Sequence, residues 1–192
     1  MGDVDQLFEV RNFYYLGAYQ QCVKEAQKVS SRTEEIKHER DLFLYRAYIA
    51  LGKSNMVLSE IPDGNSNESL KALRRLALYF SDSKHRQPVF EQVKKDYENA
   101  TTVDDYALLF NGLVLLQGKA YDSAICVFER SNLLEAKALA VQGLLKINRM
   151  DLALKMLKKM QEIDEDATVT QLCLAWLYLC SGKEKLQDAF YM

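Results

Sequence analysis

The chain has 192 residues, of which 48% are hydrophobic and 27% are charged; its 25 basic and 27 acidic side chains give a net charge of −2. Disordered chains contain fewer apolar residues, and nucleic-acid-binding proteins usually carry a basic excess, so the composition argues against both classes. No apolar run reaches the ~18 residues that a membrane-spanning helix needs. The first ten residues have neither the basic nor the apolar segment of a signal peptide.

The four cysteines are Cys22, Cys126, Cys173 and Cys180, and no two of them form a C-x-x-C pair. This spacing does not match a zinc site or a redox motif. Without a secretion signal, we expect reduced thiols in a cytosolic protein. The sequence therefore predicts neither a metal site nor a cofactor.

Turn residues follow apolar stretches at a regular interval along the chain. Gly17, Gly52, Gly118 and Gly182 mark four such turns, and polar turns near Ser83 and at Asn148–Arg149 fill the two gaps. The interval is about 33 residues, close to the period of tetratricopeptide repeats. We therefore expect each turn to join the two helices of one repeat.

Apolar residues recur at three- and four-residue spacings on both sides of each turn, which predicts amphipathic helices. In chain order the predicted pairs are 5–16 with 18–29, 39–51 with 54–61, 68–80 with 87–97, 103–117 with 121–130, 134–147 with 150–163, and 167–180 with a helix from 184. The predicted fold is all-α, an α-α superhelix (a TPR-like α-solenoid) of about six helix pairs. We expect a single repeat domain over 1–192, with repeats at about 5–29, 39–61, 68–97, 103–130, 134–163 and 167–192.

Catalytic patterns are weak throughout the sequence. His38 and His85 lie among charged residues, and neither accompanies a nucleophile motif. Gly112 and Gly118 have one residue too many between them for a phosphate-binding loop, and no Ser or Thr follows Lys119. The sequence therefore favours a protein that is not an enzyme.

Two predicted first helices are apolar on nearly every side, at 106–116 and 172–179. Such a helix must be covered on every side. Two interpretations remain open: tight packing between neighbouring repeats, or a partner segment lying on the concave face.

Three stretches carry a resemblance to a known family. They are DQLF (5–8) with NFYYLGAYQQC (12–22), ERDLFLYRAYIA (39–50), and MQEIDEDATVTQL (160–172) followed by AW (175–176). With them the chain resembles the epsilon subunit of coatomer, the coat of COPI vesicles. Members of that family are longer and have further helical repeats, so the resemblance predicts that this chain is truncated at its C-terminus.

The resemblance implies a non-catalytic structural subunit of the COPI coat. Such a subunit binds the C-terminal domain of the coatomer alpha subunit and, through it, the rest of coatomer. It lies in the cytoplasm and peripherally on Golgi membranes and COPI-coated vesicles, without inserting into the bilayer. It supports Golgi-to-ER retrograde and intra-Golgi transport of dilysine-tagged cargo.

The repeat register predicts which residues bind a partner, because certain first-helix positions usually face the concave side. They are Leu7, Arg11, Tyr14, Leu42, Arg46, Ile49, Leu108, Leu115, Leu172, Trp176 and Leu179. An alternative function is a TPR adaptor or co-chaperone module that clamps an acidic peptide terminus. That function needs clustered cations on the concave positions, and only Arg11 and Arg46 are basic there.

Overall fold

The computed structural model describes residues 5–30, 33–99, 104–182 and 185–191. Within these ranges every regular element is an α-helix, which confirms the all-α prediction. The helices are α1 (Phe8–Tyr15), α2 (Tyr19–Lys28), α3 (Glu34–Ala50), α4 (Ser54–Glu60), α5 (Glu68–Ser81), α6 (Ser83–Asn99), α7 (Asp105–Gln117), α8 (Tyr121–Arg130), α9 (Leu134–Lys146), α10 (Met150–Ile163), α11 (Thr168–Ser181) and α12 (Leu186–Phe190).

The chain divides into two compact units, Met1–Val89 and Phe90–Met192. In the first unit, α3 packs against α1, α2, α4 and α5. In the second, α9 packs against α7, α8, α10 and α11. In each unit a first helix thus contacts its own partner and the first helix of the next pair, as in an α-solenoid. The single domain over 1–192 stays a prediction.

The same type of hydrogen-bonded turn joins the two helices in four of the pairs. At Gly17, the N–H groups of Gly17 and Ala18 donate to the carbonyls of Tyr14 and Phe13 at 3.0 and 2.8 Å. The same two bonds recur around Gly52, Lys119 and Asn148, and all four central residues have positive φ. This Schellman motif satisfies carbonyls that the ending helix leaves unpaired. The predicted turns at Gly17, Gly52 and Asn148 are therefore confirmed.

At the remaining turn, the residue with positive φ lies one position after the predicted glycine. Gly118 has a negative φ of −74°, and the left-handed position belongs to Lys119 at +65°. Glycine at 118 serves packing, because an added Cβ would overlap the ring of Phe90. The sequence pattern therefore predicted the turn correctly, but the glycine at position 118 is explained by packing and not by the turn conformation.

Three helices begin three or more residues away from their predicted starts. The α3 helix begins at Glu34, where acidic residues in the first turn favour a helix N-terminus. The α6 helix begins at Ser83 and includes Pro88, after Asp82 accepts a hydrogen bond from the Lys84 N–H at 3.1 Å. The α1 helix begins only at Phe8, because the Asp5 carboxylate first forms a turn with the Leu7 N–H.

Basic side chains attach three second helices to the helix that follows. Arg40 donates to the carbonyl of Val29 at 3.1 Å, and Arg74 donates to the carbonyls of Leu58 and Ile61, each at 2.7 Å. Lys137 donates to the carbonyl of Ser131 at 3.0 Å. A cation at a helix C-terminus is also attracted to the negative end of the helix dipole. Arg40, Arg74 and Lys137 therefore have a structural function.

Candidate partner-binding surface

The predicted partner-binding residues in the first unit are mostly enclosed by the chain itself. Leu7, Leu42 and Ile49 are buried. Leu7 shares a buried cluster with Phe43, whose ring contacts the rings of Tyr14 and Tyr15 edge-on. These three aliphatic residues therefore contribute to the hydrophobic core of the first unit.

Among the described residues, Arg46 is the one buried cation, with 2% of its surface exposed. Its guanidinium carbon lies 4.2 Å from the centre of the Tyr14 ring and 4.8 Å from that of Phe43. Cations are attracted to the faces of aromatic rings, most strongly away from water. Arg46 thus has a local structural function, and it does not present its charge to solvent.

Arg11 is half-buried and contacts two carboxylates. Its side chain donates to Asp5 and to Glu39, in each case at 2.9 Å, and the second contact joins α1 to α3. Exposed ion pairs of this kind contribute little stability, but they do occupy the guanidinium group. A clamp for acidic peptides is therefore not favoured at Arg11 and Arg46.

In the second unit, α7 and α11 differ in how they are covered. Leu108 and Leu115 of α7 are buried. On α11, Leu172 is half-buried, whereas Trp176 is 36% exposed and Leu179 is 55% exposed. The last two lie close together on one side of the helix because side chains three or four residues apart are neighbours.

The α12 helix packs against α11, and this end of the described chain also exposes apolar side chains. Leu186 is 45%, Phe190 82% and Tyr191 77% exposed. Together with Trp176 and Leu179, these residues form what we call the α11–α12 apolar surface. Large exposed apolar surfaces are typical of interaction sites. Of the predicted partner-binding residues, Trp176 and Leu179 are the most exposed.

The described residues offer little for catalysis. No group of three or more His, Cys, Asp or Glu side chains among them is placed to hold a metal ion. Ser81 Oγ and His85 Nδ1 are 3.4 Å apart, yet the serine hydroxyl donates to the Leu78 carbonyl at 2.8 Å. This arrangement does not deliver the serine proton to the histidine, as an activated nucleophile requires.

The thiols fall into two classes. Cys22 and Cys173 are buried, whereas Cys126 and Cys180 are exposed. Burial raises the pKa of Cys22 to about 11 and that of Cys173 to about 12. The buried thiols are therefore neutral at physiological pH and unsuited to nucleophilic chemistry.

Comparison with known proteins decides the family. A sequence model of the family described as "Coatomer epsilon subunit" matches residues 3–192. The chain belongs to the coatomer epsilon subunit family.

Relatives in this family include coatomer subunit epsilon of Caenorhabditis elegans, 36% identical over 98% of this chain and 64% of its own length. Coatomer subunit epsilon-1 of Arabidopsis thaliana is 35% identical over 99% of this chain and 65% of its own length. The Dictyostelium discoideum subunit is 33% identical over 96% of this chain and 64% of its own length. The chain thus spans just under two thirds of the relatives that it matches. Among the helices of its described residues, none has both the length and the apolarity needed to cross a bilayer.

The sequence pattern of this epsilon-family chain did not predict that α12 contributes to the exposed apolar surface. Leu186 and Phe190 are four residues apart, so the helical spacing was present in the sequence. They were not predicted as partner-binding residues because the register used for α11 does not extend to the second helix of a pair. The exposure of Phe190 is a property of the tertiary structure.

Proposed function

We propose that the chain is a non-catalytic structural subunit of the COPI vesicle coat and binds the C-terminal domain of the coatomer alpha subunit. The observation that carries this proposal is the match of the epsilon-subunit family over residues 3–192. The relatives themselves are named as coatomer subunits. In this function the protein lies in the cytoplasm and is held peripherally on Golgi membranes through the coat. It supports retrograde and intra-Golgi transport of dilysine-tagged cargo.

The α11–α12 apolar surface supports a binding function and suggests where the alpha subunit makes contact. Trp176 belongs to this surface, and Trp is among the residues that contribute most to protein interfaces. Leu179 and Phe190 expose further apolar area. Burying such a surface in a complex stabilises it by about 25 cal/mol per Å² of apolar area before association costs. We therefore assign binding of the coatomer alpha subunit to this surface.

The test is co-purification with the C-terminal domain of coatomer alpha, followed by size-exclusion chromatography with light scattering at two salt concentrations. We expect a one-to-one complex that resists salt, because apolar contacts are not screened by ions. In the complex, Cys180 on α11 becomes slow to alkylate, whereas Cys126 on α8 keeps its rate. Both thiols are exposed in the free chain.

A matched pair of variants locates the contact. Leu179→Ala removes an exposed leucine from the α11–α12 apolar surface, and Leu154→Ala removes one from α10, where 43% of the side chain is exposed. We expect affinity to fall about tenfold for Leu179→Ala, which is the effect of ~1.4 kcal/mol, and to stay unchanged for Leu154→Ala. Equal affinities for the two variants would contradict the assignment to this surface. Failure of a folded chain to bind the alpha domain at all would contradict the proposed function.

A further inference from the structure

A second candidate surface lies in the second unit, on helices that contribute none of the predicted partner-binding residues. The α8 and α10 helices both pack on α9, and a groove of about 400 Å³ runs between them. Its apolar lining includes Ile125, Leu144 and Met156, one from each helix. The groove therefore has an apolar floor built by three consecutive helices.

The two walls of the groove carry opposite charges. The α8 wall has Asp122 and Glu129, and the α10 wall has Lys155 and Lys159. Arg149 also lines the α10 side, but it donates to the carboxylate of Asp151 in its own helix at 2.9 and 3.0 Å. The Arg149 hydrogen bond lowers the pKa of Asp151 to about 2, so this pair stays ionised.

The four wall charges are not used within the described part of the chain. Asp122 and Glu129 are exposed, as are Lys155 and Lys159. Among the described residues, none of the four makes a side-chain hydrogen bond or an ion pair. The groove thus offers an acidic edge and a basic edge, separated by apolar side chains, to a ligand.

We infer that this groove binds an amphipathic helix of a partner protein, with an apolar stripe flanked by acidic residues on one side and basic residues on the other. The acidic flank faces Lys155 and Lys159, and the basic flank faces Asp122 and Glu129. Placing an apolar helix face in a hydrophobic groove is a common mode of peptide recognition. Opposite charges at the edges determine the direction in which the helix lies.

An extended peptide fits this pattern less well than a helix. In a strand, successive side chains point to opposite faces, so only one row of residues enters a groove. A helix presents an apolar stripe and both of its flanks together, since residues three and four apart share one face. On α8, Asp122 and Glu129 are separated by two helical turns, about 10.5 Å, which matches the same spacing on a partner helix.

The test uses three acetylated and amidated 18-residue helical peptides with the same leucine stripe. One has glutamates on one edge and lysines on the other, the second has lysines on both edges, and the third has glutamates on both. Affinities for the 192-residue chain are measured by calorimetry. We expect the mixed peptide to bind tightest, because it alone pairs with both walls. It should also slow alkylation of Cys126, which lines the groove, and leave that of Cys180 unchanged.

Charge reversal on α10 gives the decisive comparison. In the Lys155→Glu/Lys159→Glu variant both walls are acidic, so the mixed peptide should bind about tenfold more weakly and the lysine-only peptide should become the tightest. Lys146→Glu/Lys158→Glu is the matched control, because both lysines are exposed and neither lines the groove. An unchanged order of peptides in the groove variant, or no binding of the mixed peptide to the native chain, would overturn the inference. The alpha-subunit complex tests the proposed function separately, through Cys180.

Discussion

The helices α3 and α11 occupy the same place in their repeats but differ in exposure. In α3 the predicted partner-binding positions Arg46 and Ile49 are 2% and 9% exposed. In α11 the corresponding residues Trp176 and Leu179 are 36% and 55% exposed. Both helices were selected by one register rule, so the register alone does not explain the difference.

The neighbours of each helix explain it. The α3 helix packs against α1, α2, α4 and α5, which cover it on several sides. In the described residues, α11 packs against α9, α10 and the five-residue helix α12. The first helix of a pair is therefore a core element where enough helices surround it. Where fewer do, part of it remains exposed to a partner.

The largest expected effect is on the free energy of unfolding. It distinguishes the predicted partner-binding residues that lie in the core from those that lie on the surface. Leu42→Ala should lower the free energy of unfolding by about 2–5 kcal/mol, because it leaves a cavity in the core of the first unit. Leu179→Ala should change it by less than ~0.5 kcal/mol, since the side chain is largely exposed. Urea unfolding followed by circular dichroism measures both. Similar losses of stability in the two variants would contradict the difference in burial between Leu42 and Leu179.

A somewhat smaller effect is expected in α7, which is as apolar as α11 but buried. A Cβ added at Gly112 would overlap the ring of Phe128 on α8. Gly112→Ala should therefore destabilise the chain by about 1–3 kcal/mol, as overpacked cores do. Gly64→Ala is the control, because nothing lies within 4 Å of that position. Equal stabilities of these two variants would show that α7 and α8 separate without cost.

A third prediction compares a turn from each unit. Gly52 has a φ of +73° and Lys119 a φ of +65°, in the same hydrogen-bonded motif. A side chain in this conformation costs about 1–2 kcal/mol, so Gly52→Ala should destabilise. Lys119→Gly removes this cost, although the greater conformational freedom of glycine in the unfolded chain offsets part of the gain. The net stabilisation should be about 0.5–1 kcal/mol. Thermal unfolding should show a lower Tm for Gly52→Ala and a higher Tm for Lys119→Gly. Shifts of Tm in the same direction would contradict a common turn motif at the two positions.

The last prediction concerns two thiols of α11, one buried and one exposed. Burial raises the pKa of Cys173 from 9.0 to about 12, whereas Cys180 is exposed. Above pH 9 the unfolded chain releases the Cys173 proton and the folded chain keeps it, so stability falls as pH rises from 9 towards 12. Cys173→Ala should make this fall shallower between pH 9 and 11, and Cys180→Ala should not. Urea unfolding at pH 8 and pH 10.5 measures it, and an identical pH dependence in the two variants would argue against a buried Cys173.

Much of the fold was predictable from the sequence because it depends on local pattern. Apolar spacing gave the helices, and turn residues gave their ends, as at Gly17 and Asn148. The family was also predictable, since stretches such as 160–172 keep polar residues that a generic repeat does not need. Small residues of three second helices, Cys22, Ala124 and Ala153, are fully buried.

The candidate site was less predictable, because exposure depends on residues that are distant in sequence. One register placed Leu42, Leu115 and Trp176 in a single class, and packing separated them into core and surface. The reason for glycine at 118 is Phe90, 28 positions earlier in the chain. The charged walls of the α8–α10 groove likewise come together only when both helices pack on α9. Local periodicity therefore determined the helices and their order, and tertiary packing decided which of their faces are left for partners.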